Sequence, residues 1–297
     1  CIYQGFRDFF NLLCVTGLDC LVIATIVALM FIIRNFLCKK VFSMIIENIP
    51  FKKDKIKNAK NCLWYLVFYT FSTFCNAFFV YRYNLLRSHE LLFHTFQKSD
   101  FTMPISLWLL LLTQIAFYIH LLYYSIFVDT FKADTLLMIF HHVLTIFLQI
   151  TSYGIGYVFV GILVEFLHDV NDIILNTTKI LYFVAPSDKD IKKILRLINL
   201  VFLSFLFISW FYTRVFLYFG NIIFPILYLG LDYVALNTPF TIPITVFLII
   251  LGLMNVLWST MIVGAIAKTH FSDGLLNKST INPPTSDKRV SKNSKSE

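Results

Sequence analysis

Charge is what this chain lacks most. Asp, Glu, Lys and Arg make up 14% of its 297 residues, against roughly a quarter in soluble domains. With 58% hydrophobic residues, that scarcity excludes an ordinary soluble domain. The net charge of +8 does not restore a nucleic-acid reading. Its basic residues fall between apolar runs and in the C-terminal tail, as topology determinants do, rather than on one soluble domain. Cysteine spacing excludes two more classes. Cys1, Cys14, Cys20, Cys38, Cys62 and Cys75 form no Cys-x-x-Cys pair and have no His at ligand spacing. Neither a disulfide framework nor a zinc site is indicated, and they read as small apolar residues. There is no P-loop, no Gly-x-Gly-x-x-Gly and no internal repeat. The chain begins with Cys rather than Met, so the native N-terminus is expected upstream and no signal peptide is assigned. What the chain has in excess is Phe, 33 residues. We read this as a bias toward Phe, Ile, Asn and Lys, not as an aromatic ligand box.

A membrane-spanning helix needs about 20 apolar residues. Seven segments qualify: Leu12–Ile33, Cys62–Tyr81, Pro104–Val128, Leu136–Ser152, one within Tyr153–Phe183, Ile194–Phe219 and Ile242–Ala267. The fourth is short. The fifth lies in a run too long for one perpendicular span and must tilt, break or protrude. The expected fold is therefore an all-α polytopic membrane protein. Lys39, Lys40, Lys52, Lys53, Lys55, Lys57 and Lys60 follow the first segment, Lys132 the third, and Lys189, Lys192, Lys193 and Arg196 the fifth. The alternate loops are poorer in Lys and Arg, which puts the N-terminus on the lumenal side and the C-terminus in the cytosol. Residues 1–61 hold the first helix and a Lys-rich cytosolic loop, 62–268 the main membrane domain, and 269–297 a polar tail expected to be disordered. Of the two Asn-x-Ser/Thr sequons, Asn176 falls inside a membrane segment and Asn277 on the cytosolic side, so neither should carry glycan.

Against this apolar background a few ionisable residues stand out. Each costs several kcal/mol at membrane depth unless it faces a cavity or a partner. His141 and His142 open the fourth segment, with Thr145 four and three residues on. In the fifth, Glu165, His168, Asp169 and Asp172 follow i, i+3, i+4, i+7, a polar stripe on one helix face. The turn between the two helices is short, so they are expected to be antiparallel neighbours lining one chamber. Imidazole exchanges a proton near neutral pH, and it can deprotonate a nucleophile or attack an acyl carbon itself. A carboxylate against its other nitrogen would set the tautomer. Two plainer readings compete. Intramembrane histidines often only hydrogen-bond neighbouring helices. His and Asp at i, i+4 can also hold a metal, but the spacing of a zinc motif is missing and we expect none.

His141-His142-Val-Leu-Thr145, Ser152-Tyr153, Gly161, Leu167-His168-Asp169-x-x-Asp172 and Lys179 together resemble the Lag motif of the ceramide synthases, members of the TLC-domain family. Asp129, Lys132 and Asp134 resemble the loop that precedes the family's His pair. Phe211-Tyr212-Thr213-Arg214 is similar to its FYTR signature. The resemblance is good over about Pro104–Tyr218. It implies seven membrane helices, six of them enclosing a chamber. It also implies acyl-CoA-dependent N-acylation of a sphingoid base in the endoplasmic reticulum membrane, giving (dihydro)ceramide. Acyl-CoA would be co-substrate, with no bound cofactor, and membrane lipids and a second copy of the chain are the other partners it allows. Carried over, the resemblance makes His141 the acyl-accepting group or base, with His142, His168, Asp169 and Asp172 completing the site. Thr145, Ser152, Tyr153, Glu165, Lys179 and Arg214 would contact substrate. Lys132, Lys179, Lys189, Lys192 and Lys193 would meet the anionic CoA, though any one of them reads equally as a topology signal. Arg214 would pair with a chamber carboxylate or snorkel to the interface.

The chain departs from the family pattern at several positions. Gly156 and Phe159 stand where Asn and Arg are usual, Asn176 replaces a Glu, Tyr182-Phe183 replaces Asn-Tyr, and Tyr118-Ile-His120 replaces a WYLS-like stretch. Glu165 stands where typical members are apolar. The alternative is a non-catalytic TLC protein, either a translocon-associated helper or a lipid-binding or trafficking protein.

Overall fold

The computed structural model describes residues 13–93, 103–131, 134–228 and 241–281. Helix α1 (Gly17–Lys39) opens with a capping box. Thr16 Oγ1 accepts from the Asp19 N–H, and the Asp19 carboxylate accepts from the Thr16 N–H at 2.7 Å, which satisfies two otherwise orphaned donors. A short α2 (Val41–Glu47) precedes α3 (Ile56–Arg82). Helix α4 (Ile105–Phe127) starts after Pro104, a residue that fits a helix start and not its interior. Helix α5 (Thr135–Ile155) ends at Gly156, whose φ of 93° lets its N–H reach back to the Ser152 and Tyr153 carbonyls. That left-handed position favours Gly, with Asn the next best. The replacement of the family's Asn by Gly156 is therefore conformationally matched. Helix α6 (Val158–Phe183) follows at once. Helix α7 (Lys189–Trp210), capped by the Asp188 carboxylate, continues through π-helical turns at Phe211–Leu217 and Phe219–Ile223 to Tyr228. Helix α8 spans Thr241–Ile281.

Among the described residues there is no sheet, only an isolated bridge between Phe51 and Val184. Among the described residues, six helices are long and apolar enough to cross a membrane: those around α1, α3, α4, α5, α7 and α8. Helix α6 is as long, 26 residues, but its polar stripe interrupts the apolar run. The chain is an all-α polytopic membrane protein. Two sequence boundaries shift. Helix α5 reaches Ile155 and is not short, because Gly156 rather than Ser152 stops it. Helix α8 runs on to Ile281, into the stretch expected to be disordered, and residues 282–297 lie outside the described ones. The length expected of the fifth segment remains, since α6 is about 39 Å long against a hydrocarbon core of about 30 Å.

Side chains on α3 show how the helices are oriented. Phe71, Phe74 and Phe78 are exposed, while Phe68, Ser72, Asn76 and Phe79 are buried. The first set suits lipid and the second faces protein. Helix α6 packs along α3 and against α7, α7 against α8, α8 against α5, α5 against α4, and α4 touches α3. These six close a ring. Helix α1 lies outside it on α4, held near both ends. Trp108 Nε1 donates to Asp19 at 2.8 Å, and Arg34 donates to Asn61 at 2.9 Å while lying 3.3 Å above the Tyr124 ring.

The α5–α6 hairpin is tight. A Cβ on Gly161 would sit 2.7 Å from Ser152 Oγ, whose proton already goes to the Tyr157 carbonyl at 2.7 Å. Gly161→Ala is expected to destabilise the protein by about 1–3 kcal/mol, read as a lower unfolding temperature in detergent. An unchanged temperature would show that the hairpin can open at no cost.

Candidate active site

Two helices of the ring bring the sequence-identified residues to its interior. On α5, His141, Thr145, Gln149 and Ser152 share one face at helical spacing, with His142 beside them. His141 and His142 are both buried. The His141 ring stands edge-on to Trp258 of α8, with centroids 5.0 Å apart. The His142 ring turns toward α4, 6.0 Å from Tyr118. The two imidazoles are 5.6 Å apart. In each, Nδ1 is buried and has no hydrogen-bond partner. Buried polar atoms in proteins are nearly always paired, so an unpaired one calls for an explanation such as a reactive role.

The α6 stripe fans out over three walls. Glu165 accepts from Gln149 Nε2 of α5 at 2.7 Å. His168 faces α7 and α8. Its Nδ1 lies 2.8 Å from the Val164 carbonyl, which can only accept, so Nδ1 carries the proton. Its Nε2 then accepts from Asn255 Nδ2 at 3.2 Å. Asp169, fully buried, faces α3 and accepts from Asn76 at 3.4 Å in a cluster with Ser72 and Gln114. Asp172 pairs with Arg214 of α7 at 2.8 Å. Arg214 also donates to the His168 carbonyl at 2.8 Å and lies 4.0 Å above the Trp210 ring, so it pairs with a carboxylate and does not snorkel. Arg214 sits inside the first π-helical turn, where the helical register is widened. Asn171, between the acids, accepts from Ser209 at 2.9 Å and donates to Thr213, tying α6 to α7.

One expectation from the sequence is corrected here. Among the described residues, no carboxylate oxygen is within hydrogen-bond distance of an imidazole nitrogen. Successive helix positions differ by about 100°, so His168 and Asp169 meet different neighbours, and Arg214 occupies Asp172. The groups still share one interior. His141 lies in electrostatic reach of His142, His168 and Arg214, and Glu165 of Asp172 and Arg214.

Other candidates divide. Thr145, Ser152 and Glu165 line a cavity of about 70 Å³ bounded by α5, α6, the end of α7 and α8. Its far walls are apolar, including Ile226, Ile244, Leu248 and Leu251. Tyr153 is elsewhere. Its hydroxyl accepts from Trp108 at 3.1 Å, beside Asp19 of α1. Lys179, Lys189, Lys192 and Lys193 are exposed, and Lys132 lies outside the described residues. Phe159 is buried, 4.8 Å from the Tyr83 ring. The family's Arg is thus replaced by a core side chain. Asn176 bonds back to the Asp172 carbonyl at 2.7 Å. Among the described residues no group of three or more His, Cys, Asp or Glu is arranged to hold a metal.

Sequence reasoning missed Asn255 and Trp258, which reach His168 and His141 from α8, and Gln149, Ser72, Asn76 and Gln114. The signal was present, because an Asn or Gln within an apolar helix is as anomalous as a His there.

Comparison with known proteins follows this geometry. Residues 58–264 match the TLC domain. The chain belongs to the TLC-domain family. That match runs from the start of α3 into α8, so it takes in part or all of each of the six ring helices, and it leaves α1 outside it. This TLC-domain chain is 35% identical to human ceramide synthase 1 over 158 residues, 53% of this chain and 45% of the relative. It is 31% identical to the mouse protein of that name over 172 residues, 58% and 49% of the two chains. It is 27% identical to bovine (Bos taurus) ceramide synthase 4 over 201 residues, 67% and 47%. The chain spans about half the length of the curated relatives it matches.

Proposed function

We propose that this chain transfers a fatty acyl group from acyl-CoA to the amine of a sphingoid base, forming (dihydro)ceramide in the endoplasmic reticulum membrane. One observation carries the reading. A pair of buried imidazoles with unpartnered Nδ1 atoms stands one helical turn from a largely apolar cavity. In the transfer a C–N bond forms at the acyl carbon and the thioester C–S bond breaks. The amine gives up a proton and the CoA thiolate can take one. His141 supports this in one of two ways. It attacks the thioester to form an acyl-imidazole that the amine then opens, or it takes the amine proton as the amine attacks directly. His168 is held as a neutral tautomer by Val164 and Asn255, so it shapes the field around the pair. The two carboxylates act at a distance, through Arg214 and the Asn76 cluster. The exposed Lys179, Lys189, Lys192 and Lys193 supply positive potential for CoA at the near end.

The test is purified protein with labelled acyl-CoA and sphinganine, scored for N-acyl product. No product above a protein-free control would leave the second reading, a TLC protein that binds an aliphatic chain without turning it over. The observation on that side is that, among the described residues, no carboxylate reaches an imidazole nitrogen. The proposed topology, with the Lys-rich loops cytosolic and the N-terminus lumenal, has its own check. A glycosylation sequon engineered near Ser88 is expected to be modified in microsomes, and one near Asp188 to stay bare. The reverse pattern would invert the orientation and remove the lysines from the CoA mouth.

A further inference from the structure

Five threonines in these helices close their hydroxyls onto the carbonyl four residues back. Thr25, Thr113, Thr151, Thr177 and Thr178 do so at 2.6–2.8 Å. Such a bond satisfies the hydroxyl locally and needs no other partner. Thr145 does not make it. Its Oγ1 is buried and unpartnered, and the residue lines the cavity. One turn further along the same face is Gln149, whose amide N–H bonds Glu165 while its Oε1 is buried and unpartnered. Glu165 itself is 5% exposed and lines the same cavity. Three polar side chains from two helices thus converge on one side of a space whose other walls are mostly apolar. A cavity shaped only for an unsubstituted chain has no use for them, because a buried amide oxygen and a carboxylate facing hydrocarbon are each costly without a partner. Both are acceptors, and Thr145 can accept as well as donate. The complementary ligand group is a donor set on an otherwise aliphatic molecule.

We infer that Thr145, Gln149 and Glu165 form a specificity site that reads a hydroxyl group on the aliphatic ligand of this cavity. The inference rests on the proposed acyl transfer for the identity of its ligands, but not for its test. The shared chemistry has two sources. One is a hydroxyl near the carboxyl end of the acyl chain, which an acyl group attached at His141 would carry toward Thr145, one turn away. The other is the hydroxyls of the amine acceptor. Discrimination follows from the site's own needs, since a ligand without the hydroxyl leaves buried acceptors unpaired, a larger loss than a missing methylene would cause.

Equilibrium binding to the purified full chain separates these cases without requiring turnover. Tritiated 2-hydroxyhexadecanoic acid is compared with hexadecanoic acid, and sphinganine with 1-aminooctadecane. The hydroxylated member of one pair is expected to bind on the order of tenfold more tightly or better. The ratio should fall toward one in Thr145→Val, which removes the hydroxyl at nearly constant volume. It should fall likewise in Gln149→Leu/Glu165→Leu, which removes both members of the pair and leaves neither orphaned. A preference confined to the acid pair assigns the hydroxyl to the acyl chain, and one confined to the amine pair assigns it to the acceptor. Equal binding within both pairs, as for a cavity whose polar wall is served by water, overturns the inference. So does a preference that both variants retain, or no binding of any of the four. Acyl transfer without hydroxyl preference would sink this inference and spare the proposed reaction. A preference without transfer would do the reverse.

Discussion

His141→Ala is expected to lower N-acyl product formation by about 10²- to 10⁴-fold, the range spanned by positioned acid–base groups, while the protein stays folded. The ring's recorded contacts are the edge of Trp258 and the neighbouring His142, and its Nδ1 makes no hydrogen bond that truncation would break. The loss should therefore appear in turnover far more than in the unfolding temperature. Size-exclusion elution and a thermal melt in the same detergent serve as the controls. The wild-type protein decides how His141 works. Incubation with acyl-CoA in the absence of amine, followed by peptide mass spectrometry, yields an acyl adduct on the His141 peptide if it is the nucleophile and none if it is the base. Turnover unchanged in His141→Ala would remove it from the reaction. His142→Ala in parallel shows whether the second ring, which faces Tyr118, has the same part.

Arg214→Ala should be the most damaging single change to stability. It leaves Asp172 without its 2.8 Å partner, frees the His168 carbonyl and uncovers Trp210. Removing one member of a buried ion pair costs about 3–5 kcal/mol, chiefly because the remaining charge is stranded. The paired change Arg214→Met/Asp172→Leu removes both charges and is expected to recover much of that loss in thermal unfolding. A single variant no less stable than the double would show that the pair is not a structural element. Arg214→Lys should rescue only in part, because an ammonium lacks the planar fork that reaches carboxylate and carbonyl together.

Legibility differs from one part of the molecule to another for a physical reason. The apolar segments were readable because lipid demands long unbroken runs, and a run is a one-dimensional property. The stop of α5 at Gly156 was not, since the helix end depends on a backbone angle that many sequences could have reached sooner. The π turns of α7 left no trace in hydropathy either, yet Arg214, the partner of Asp172, lies within the first of them. Glu165 appeared as one more member of an acidic stripe. Its partner Gln149 lies on another helix, and only the packing of α5 on α6 shows that the two share a cavity wall.

By itself the sequence determined that this chain crosses a membrane as helices, and that imidazoles and acids lie within the apolar segments of two of them, because the cost of placing such groups in hydrocarbon marks them wherever they occur. The tertiary structure decided which neighbour each one meets. Helical periodicity sets the angle at which a side chain leaves its own axis, but what stands at that angle depends on how distant helices pack. That is why His168 met an asparagine of α8 and Asp172 an arginine of α7, when the residue pattern had led us to expect acid against imidazole.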